Sequence, residues 1–129
     1  MIHEEICTYE VCKLAKEKGF PQDVFGTCEM KSACYLEDGR YYKDGCICPI
    51  EDAYTAPTQS LLQRWLREEK GIHISVEYEW VEGVDDWTFW VYIKKINNAK
   101  VVNDAIKSGF NTYELALEDA LKYSLENLV

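Results

Sequence analysis

Ile72-His73-Ile74-Ser75-Val76-Glu77-Tyr78-Glu79-Trp80-Val81, followed after a short acidic turn by Trp87-Thr88-Phe89-Trp90-Val91-Tyr92-Ile93-Lys94, decides the fold. Apolar side chains recur at every second position in both runs, the period of a β-strand with one face turned to a core. A four-residue loop of Gly83-Val84-Asp85-Asp86 joins them as a hairpin and pairs Trp80 with Phe89, Tyr78 with Val91 and Val76 with Ile93. The same register sets Glu79 opposite Trp90, Glu77 opposite Tyr92 and Ser75 opposite Lys94. A slip of one residue would set apolar against acidic side chains along the whole ladder, so the two faces are well specified.

Helices flank this hairpin. Pro57 suits the start of a helix over about Thr58 to Lys70, where its missing N–H leaves no bond unmade, and Gly71 suits the end. Leu61, Leu62, Trp65 and Leu66 share one face of it. Beyond the hairpin, Asn97-Asn98 turns the chain into a short third strand near Ala99 to Val102, with Lys95 opposite Lys100, and residues 103 to 110 read equally as a helical turn or a loop. Asn111 is the expected cap of the last helix, with Glu114 in the capping-box position. Leu117, Ala120, Leu121, Ser124, Leu125 and Leu128 then follow helical spacing. From about residue 58 the order is α-β-β-β-α, which predicts an antiparallel three-stranded sheet with two helices on one face.

Before residue 58 the signals are shorter. Thr8 is the expected N-cap of a first helix and Glu10 lies in its first turn. Val11, Cys12, Leu14 and Ala15 form an apolar stripe. Gly19 supplies the left-handed residue that ends the helix, and Pro21 prevents its continuation. Tyr35-Leu36-Glu37 and Arg40-Tyr41-Tyr42 read as a small hairpin about a type I′ Asp38-Gly39 turn, with Glu37 facing Arg40, Leu36 facing Tyr41 and Tyr35 facing Tyr42. Asp44-Gly45 is a second turn signal, and residues 49 to 57 read as a connecting loop. The expectation is an α+β protein of one domain, in which residues 1–50 add a helix and a cysteine-bearing hairpin to a core at 58–129.

Composition narrows the function. The 129 residues carry 14 Lys and Arg against 23 Asp and Glu, a formal charge of −9. Binding nucleic acid by counterion release needs a basic face, so direct nucleic-acid binding is not expected. The α-β-β-β-α order is that of double-stranded RNA-binding domains, but those place lysines at the start of the last helix. Here that start is Asn111-Thr112-Tyr113-Glu114, with Glu118 and Asp119 following. No run approaches 18 apolar residues, and Met1-Ile2-His3-Glu4-Glu5 is acidic where a signal peptide would be basic and then apolar. Membrane insertion and export are therefore not expected, and the expected compartment is the cytoplasm.

The six cysteines all fall before residue 49: Cys7, Cys12, Cys28, Cys34, Cys46 and Cys48. Their gaps include no C-x2-C knuckle, which disfavours a structural zinc site. Four thiolates from Cys28, Cys34, Cys46 and Cys48 could still converge on zinc, and that is one alternative. Small buried hydrophobes is the simpler reading. Catalytic signals are few. His3 lies at the terminus and His73 heads a strand, with no hydrolase, phosphate-binding or metalloprotease motif beside them. Carboxylate pairs such as Glu77 with Glu79, or Asp85 with Asp86, lie where acidic side chains ordinarily face water. No enzyme activity and no cofactor are expected.

The outer face of the central hairpin has a composition enriched at protein interfaces. Trp90 and Tyr92 stand there beside Glu77 and Glu79, with Asp85 and Asp86 in the loop. Either the segment before residue 50 packs over this face, or a partner protein or a second copy does.

Three stretches occur together: Tyr9-Glu10-Val11-Cys12-Lys13-Leu14-Ala15-Lys16-Glu17-Lys18-Gly19-Phe20, Ala56-Pro57-Thr58-Gln59-Ser60-Leu61-Leu62-Gln63-Arg64-Trp65-Leu66-Arg67-Glu68, and Tyr113-Glu114-Leu115-Ala116-Leu117-Glu118. In these helices the chain resembles a group of small uncharacterised proteins of Bacteroides-type gut bacteria and of their phages and prophages. The likeness covers roughly a third of the chain, and the segment from Cys28 to Cys48 departs from it. The resemblance implies a phage or mobile-element setting inside a bacterial host and carries over no activity or catalytic residue. The expected function is thus that of a non-catalytic accessory protein acting on a host or phage protein, or on itself, through Glu77, Glu79, Trp90, Tyr92, Asp85 and Asp86. Besides the zinc module, the other alternative is an acidic mimic of DNA that occupies a host protein's basic groove.

Overall fold

A computed structural model describes residues 4–22, 33–43 and 53–129 of the chain. It is α+β, with three helices and two antiparallel three-stranded sheets. Beside the expected three-stranded sheet, the small hairpin expected before it gains a third strand and becomes a second sheet. The two sheets lie in two compact units, Met1–Thr58 and Gln59–Val129.

In the first unit, helix α1 spans Tyr9–Glu17. The Thr8 side chain accepts from the Val11 N–H at 3.4 Å, as a cap should. At the other end Gly19 takes φ +97°, the Gly19 N–H bonds the Lys16 carbonyl at 3.2 Å, and the Phe20 N–H bonds that of Ala15 at 2.9 Å. That pair of bonds is a Schellman motif, and it turns Phe20 back into the unit, where it is buried. Strands β1 (Cys34–Leu36), β2 (Tyr41–Tyr42) and β3 (Ala53–Thr55) form a sheet ordered β2-β1-β3.

Two expectations change here. The segment taken as a loop contains β3, which pairs Ala53 with Leu36, Tyr54 with Tyr35 and Thr55 with Cys34. The small hairpin is also shifted by one residue, so that Tyr35 faces Tyr41 and Cys34 faces Tyr42. The cause is the turn. Only Gly39, at φ +90°, is left-handed, and the Leu36 N–H bonds the Arg40 carbonyl at 2.8 Å. The loop is therefore three residues, Glu37-Asp38-Gly39, with glycine in the one position that demands it, rather than a two-residue type I′ turn. The Asp44-Gly45 turn signal lies outside the described residues.

Tyrosines and a lysine knit this unit together. The Tyr9 ring meets those of Tyr35 and Tyr54 edge-on, each with centroids 5.7 Å apart. Lys16 lies over the Tyr54 ring at 5.1 Å and donates to the Ala53 carbonyl at 2.8 Å. Burial holds the Tyr54 hydroxyl above its ordinary pKa.

The second unit begins with α2 (Gln59–Lys70), continues through β4 (Ile72–Val81), β5 (Asp86–Asn97) and β6 (Lys100–Phe110), and ends with α3 (Tyr113–Asn127). Its sheet is ordered β4-β5-β6. Helix α2 packs on β4, α3 packs on all three strands, and the helices touch one another. Leu62, Leu66, Ile72, Val91, Ile93, Leu117, Leu121 and Leu125 are buried as its core. The helix boundaries agree with the sequence reading, save that Thr112 rather than Asn111 caps α3. Its hydroxyl accepts from the Leu115 N–H at 3.1 Å.

The register of β4 on β5 differs from expectation by two residues. Trp80 faces Trp87, Tyr78 faces Phe89, Val76 faces Val91 and Ile74 faces Ile93. On the other side Glu79 faces Thr88, Glu77 faces Trp90, Ser75 faces Tyr92 and His73 faces Lys94. The loop is Glu82-Gly83-Val84-Asp85, because the left-handed residues are Gly83 (φ +92°) and Asp85 (φ +56°) and the Asp85 N–H closes on the Val81 carbonyl at 2.9 Å. A two-residue shift changes every partner but leaves each side chain on its own face.

Strand β6 is far longer than the piece expected near Ala99 to Val102 and absorbs the ambiguous segment after it. Asn98 (φ 52°) and Ala99 (φ 62°) form the turn, so Lys100 faces Asn97 and Lys95 faces Asn103. Contrary to expectation, Lys95 and Lys100 therefore do not face each other, and no like charges are opposed there. Two bulges fall between the pairs Phe89–Phe110 and Val91–Lys107, and between Lys95–Asn103 and Ile96–Val101. Gly109, at φ +93°, lies within the first.

Candidate functional site

The expected site residues lie together on the β4–β5 hairpin. Glu77 and Glu79 belong to β4, Trp90 and Tyr92 to β5, Asp85 to the connecting loop, and Asp86 opens β5 opposite Val81. The Trp90 and Tyr92 rings stack with centroids 6.5 Å apart and planes 15° from parallel. The Tyr92 hydroxyl donates to Glu79 at 2.6 Å, a diagonal contact, since the backbone partner of Glu79 is Thr88. Ser75 donates to Glu77 at 3.0 Å. The bond to Glu79 holds the Tyr92 hydroxyl above its ordinary pKa, with burial adding to the effect. Asp86 accepts from the Trp87 N–H at 2.7 Å and so stiffens the root of the loop.

Glu77, Glu79 and Tyr92 line an open groove of about 400 Å³ together with His73, Ser75 and Lys94, whereas Trp90, Asp85 and Asp86 do not. The Trp90 indole N–H is buried and meets no acceptor among the described residues. Trp90 and Tyr92 are partly buried rather than exposed. The outer face is therefore a set of carboxylates already engaged by a tyrosine and a serine, with its two rings tucked in.

The opposite face holds what the sequence reading missed. Tyr78, Trp80 and Trp87 point to the side that carries the core, yet they are 55%, 48% and 50% exposed, and Val84 in the loop is 73% exposed. Lengths explain this. Ten and twelve strand residues run about 34 and 41 Å. Helices of twelve and fifteen residues run only about 18 and 22 Å. The hairpin reaches beyond the helices that cover its base.

The uncovered rings hold one another in place. Tyr78 stacks on Trp87 at 5.3 Å and meets Phe89 at 4.6 Å, while Trp80 meets Trp87 edge-on at 5.9 Å. Tyr113, at the start of α3, meets Phe89 edge-on at 6.5 Å and closes the row. From Val76 to Ile93 the chain has five acidic residues and no lysine or arginine, so the rings stand in a negative field. A sequence signal did exist: strand runs that outlast any helix able to cover them.

Among the described residues, no group of three His, Cys, Asp or Glu side chains converges as metal ligands would. Of the cysteines proposed for zinc, Cys34 is buried in β1, packed with Ala53, Leu36 and Tyr42. Cys28, Cys46 and Cys48 lie outside the described residues. Cys7 and Cys12 are buried as well, which agrees with their reading as small hydrophobes. Among the described residues no helix is long and apolar enough to cross a membrane. No family model, curated protein or solved structure matches this chain.

Proposed function

We propose that this chain is a non-catalytic protein-binding domain whose recognition element is the β4–β5 hairpin. The observation that carries the proposal is the row of half-exposed rings at Tyr78, Trp80 and Trp87 within a stretch rich in carboxylates. Exposed aromatic rings on a rigid strand pair are the anchors that interfaces favour, because a large contact area is bought with few rotatable bonds. In this reading α2 and α3 share one face of the sheet and stop short of the hairpin's end, which frees that end for a partner. Glu77, Glu79, Trp90 and Tyr92 on the reverse face, with Asp85 and Asp86 at the tip, supply the surrounding polar surface.

The setting follows from the helices that resemble phage and prophage proteins. The domain acts in the cytoplasm of a bacterial host, on a host or phage protein. The test is to purify the tagged protein from producing bacterial cells and to identify what accompanies it by mass spectrometry. Two variants accompany the native chain, one with Trp80→Ser and Trp87→Ser, the other with Trp90→Ser and Tyr92→Ser. Loss of the same partner from either variant supports the reading. A partner retained in full by both, at native stoichiometry, sinks it.

A further inference from the structure

The two edges of the second sheet are built differently. Strand β6 carries two bulges, and bulges bend an edge away from further pairing. Strand β4 pairs with β5 without interruption from Ile72 to Val81 and contains no proline, lysine or arginine. Among the described residues, no strand pairs with its other side.

The backbone groups on that open side can be assigned. The Gly71 carbonyl accepts from the Ile96 N–H at 2.8 Å, and the Val81 carbonyl accepts from Asp85 in the loop, so the odd-numbered residues turn toward β5. In an antiparallel ladder the alternate residues turn the other way. Ile74, Val76, Tyr78 and Trp80 therefore aim their N–H and C=O groups at the edge. The Ile74 carbonyl is engaged, since Gln63 of α2 donates to it at 2.9 Å. Among the described residues nothing pairs with the edge from Val76 to Trp80.

The side chains along this open stretch alternate in chemistry as well as in direction. Glu77 and Glu79 stand on one face, and Val76, Tyr78 and Trp80 on the other. Resting on the protein-binding reading above, we propose that the β4 edge from Val76 to Trp80 takes up an extended partner segment as a fourth strand. That segment alternates basic and apolar residues. Its lysines or arginines lie beside Glu77 and Glu79, and its apolar side chains lie on Val76, Tyr78 and Trp80. Backbone pairing supplies affinity in such strand addition, and alternate side chains supply specificity. A second copy of this chain is a poor occupant. An antiparallel β4–β4 pairing centred on Tyr78 would set Glu77 directly opposite Glu79 twice, and like charges so placed repel.

The probe is a blocked eight-residue peptide of alternating lysine and valine, titrated into the full chain by fluorescence anisotropy at low salt. A peptide of the same composition, with its lysines and valines in two blocks, is the control. The alternating peptide is expected to bind at least tenfold more tightly and to shift the Tyr78 and Trp80 amide resonances. Peptides N-methylated at every second residue, prepared in both phases, need no change to the protein. One phase turns its methyl groups to the β4 edge and should lose binding at least tenfold, while the other should keep it.

The E77K/E79K variant should lose at least tenfold for the alternating peptide. Equal binding of alternating and block peptides, or equal effects of the two methylation phases, overturns strand addition. Overturned in that way, it leaves the protein-binding reading standing if the tryptophan variants still lose their partner. If those variants keep it, both readings fall.

Discussion

The Ile96 N–H donates to the Gly71 carbonyl at 2.8 Å, while the Ile96 carbonyl lies 2.5 Å from where a β-carbon on residue 71 would sit. Gly71 also holds φ +67°, so this one glycine is the whole connection between the end of α2 at Lys70 and the start of β4 at Ile72. Gly71→Ala would add left-handed strain and force the ends of two paired strands apart. It should destabilise the chain by about 2–4 kcal/mol. A lower urea midpoint at unchanged slope would register this, and an unchanged midpoint would contradict the packing described.

The cap of α3 can be assigned by substitution. Thr112→Ala should cost about 1 kcal/mol, because the Leu115 N–H loses its acceptor. Asn111→Ala should lie within about 0.5 kcal/mol of the native chain, as surface changes away from such bonds usually do. Reversed values in thermal or urea melts would restore Asn111 as the cap.

Tyr92 offers a pH readout. Its hydroxyl donates to Glu79, which keeps its proton on above the ordinary tyrosine range. A pKa raised on folding stabilises the fold while the group is protonated in both states. The contribution is therefore full below about pH 10 and is lost as pH climbs through the folded value. Glu79→Gln should bring the Tyr92 titration down toward that of a free tyrosine. The ring-carbon resonance of labelled Tyr92, followed with pH and assigned by its loss in Tyr92→Phe, measures this directly. An unmoved titration would mean that the bond to Glu79 is not what holds the proton.

The hairpin's end should behave as surface in stability measurements despite its aromatic content. Leu121→Ala, fully buried beneath the sheet, should cost about 2–5 kcal/mol. Trp80→Ser gives up one edge-on contact with Trp87 and should cost only about 1 kcal/mol. Paired urea melts compare the two, and a Trp80 penalty equal to that of Leu121 would show a covered core where an open row is described.

Much of the fold could be read from punctuation. Thr8, Gly19, Pro57 and Gly71 mark helix ends because each suits the backbone conformation or the unpaired N–H groups that a helix end presents. The two faces of the β4–β5 hairpin were legible from alternation, and so the outer set of Glu77, Glu79, Trp90 and Tyr92 was found together. Register was not, because a period of two is blind to a shift of two. The turn decides it: left-handed Gly83 and Asp85, with the Asp85 N–H on the Val81 carbonyl, set Trp80 opposite Trp87 rather than Phe89.

The remaining misses have similar local causes. Bulges at Gly109 and near Val101 break the alternation of β6, so no single period runs from Lys100 to Phe110. Ala53–Thr55 is too short to show a period at all. The exposed rings at Tyr78, Trp80 and Trp87 could not be told from core residues by pattern. Their exposure comes from how far α2 and α3 reach, a length comparison between elements rather than a property of either strand.

The contrast between a straight β4 and a twice-bulged β6 also sets a limit on growth. A sheet with two compatible edges can recruit copy after copy and extend without end, as fibrils do. Here one side is interrupted, and on the other a copy centred on Tyr78 would set Glu77 against Glu79, so neither edge invites the unbroken stacking of copies on which a fibril depends.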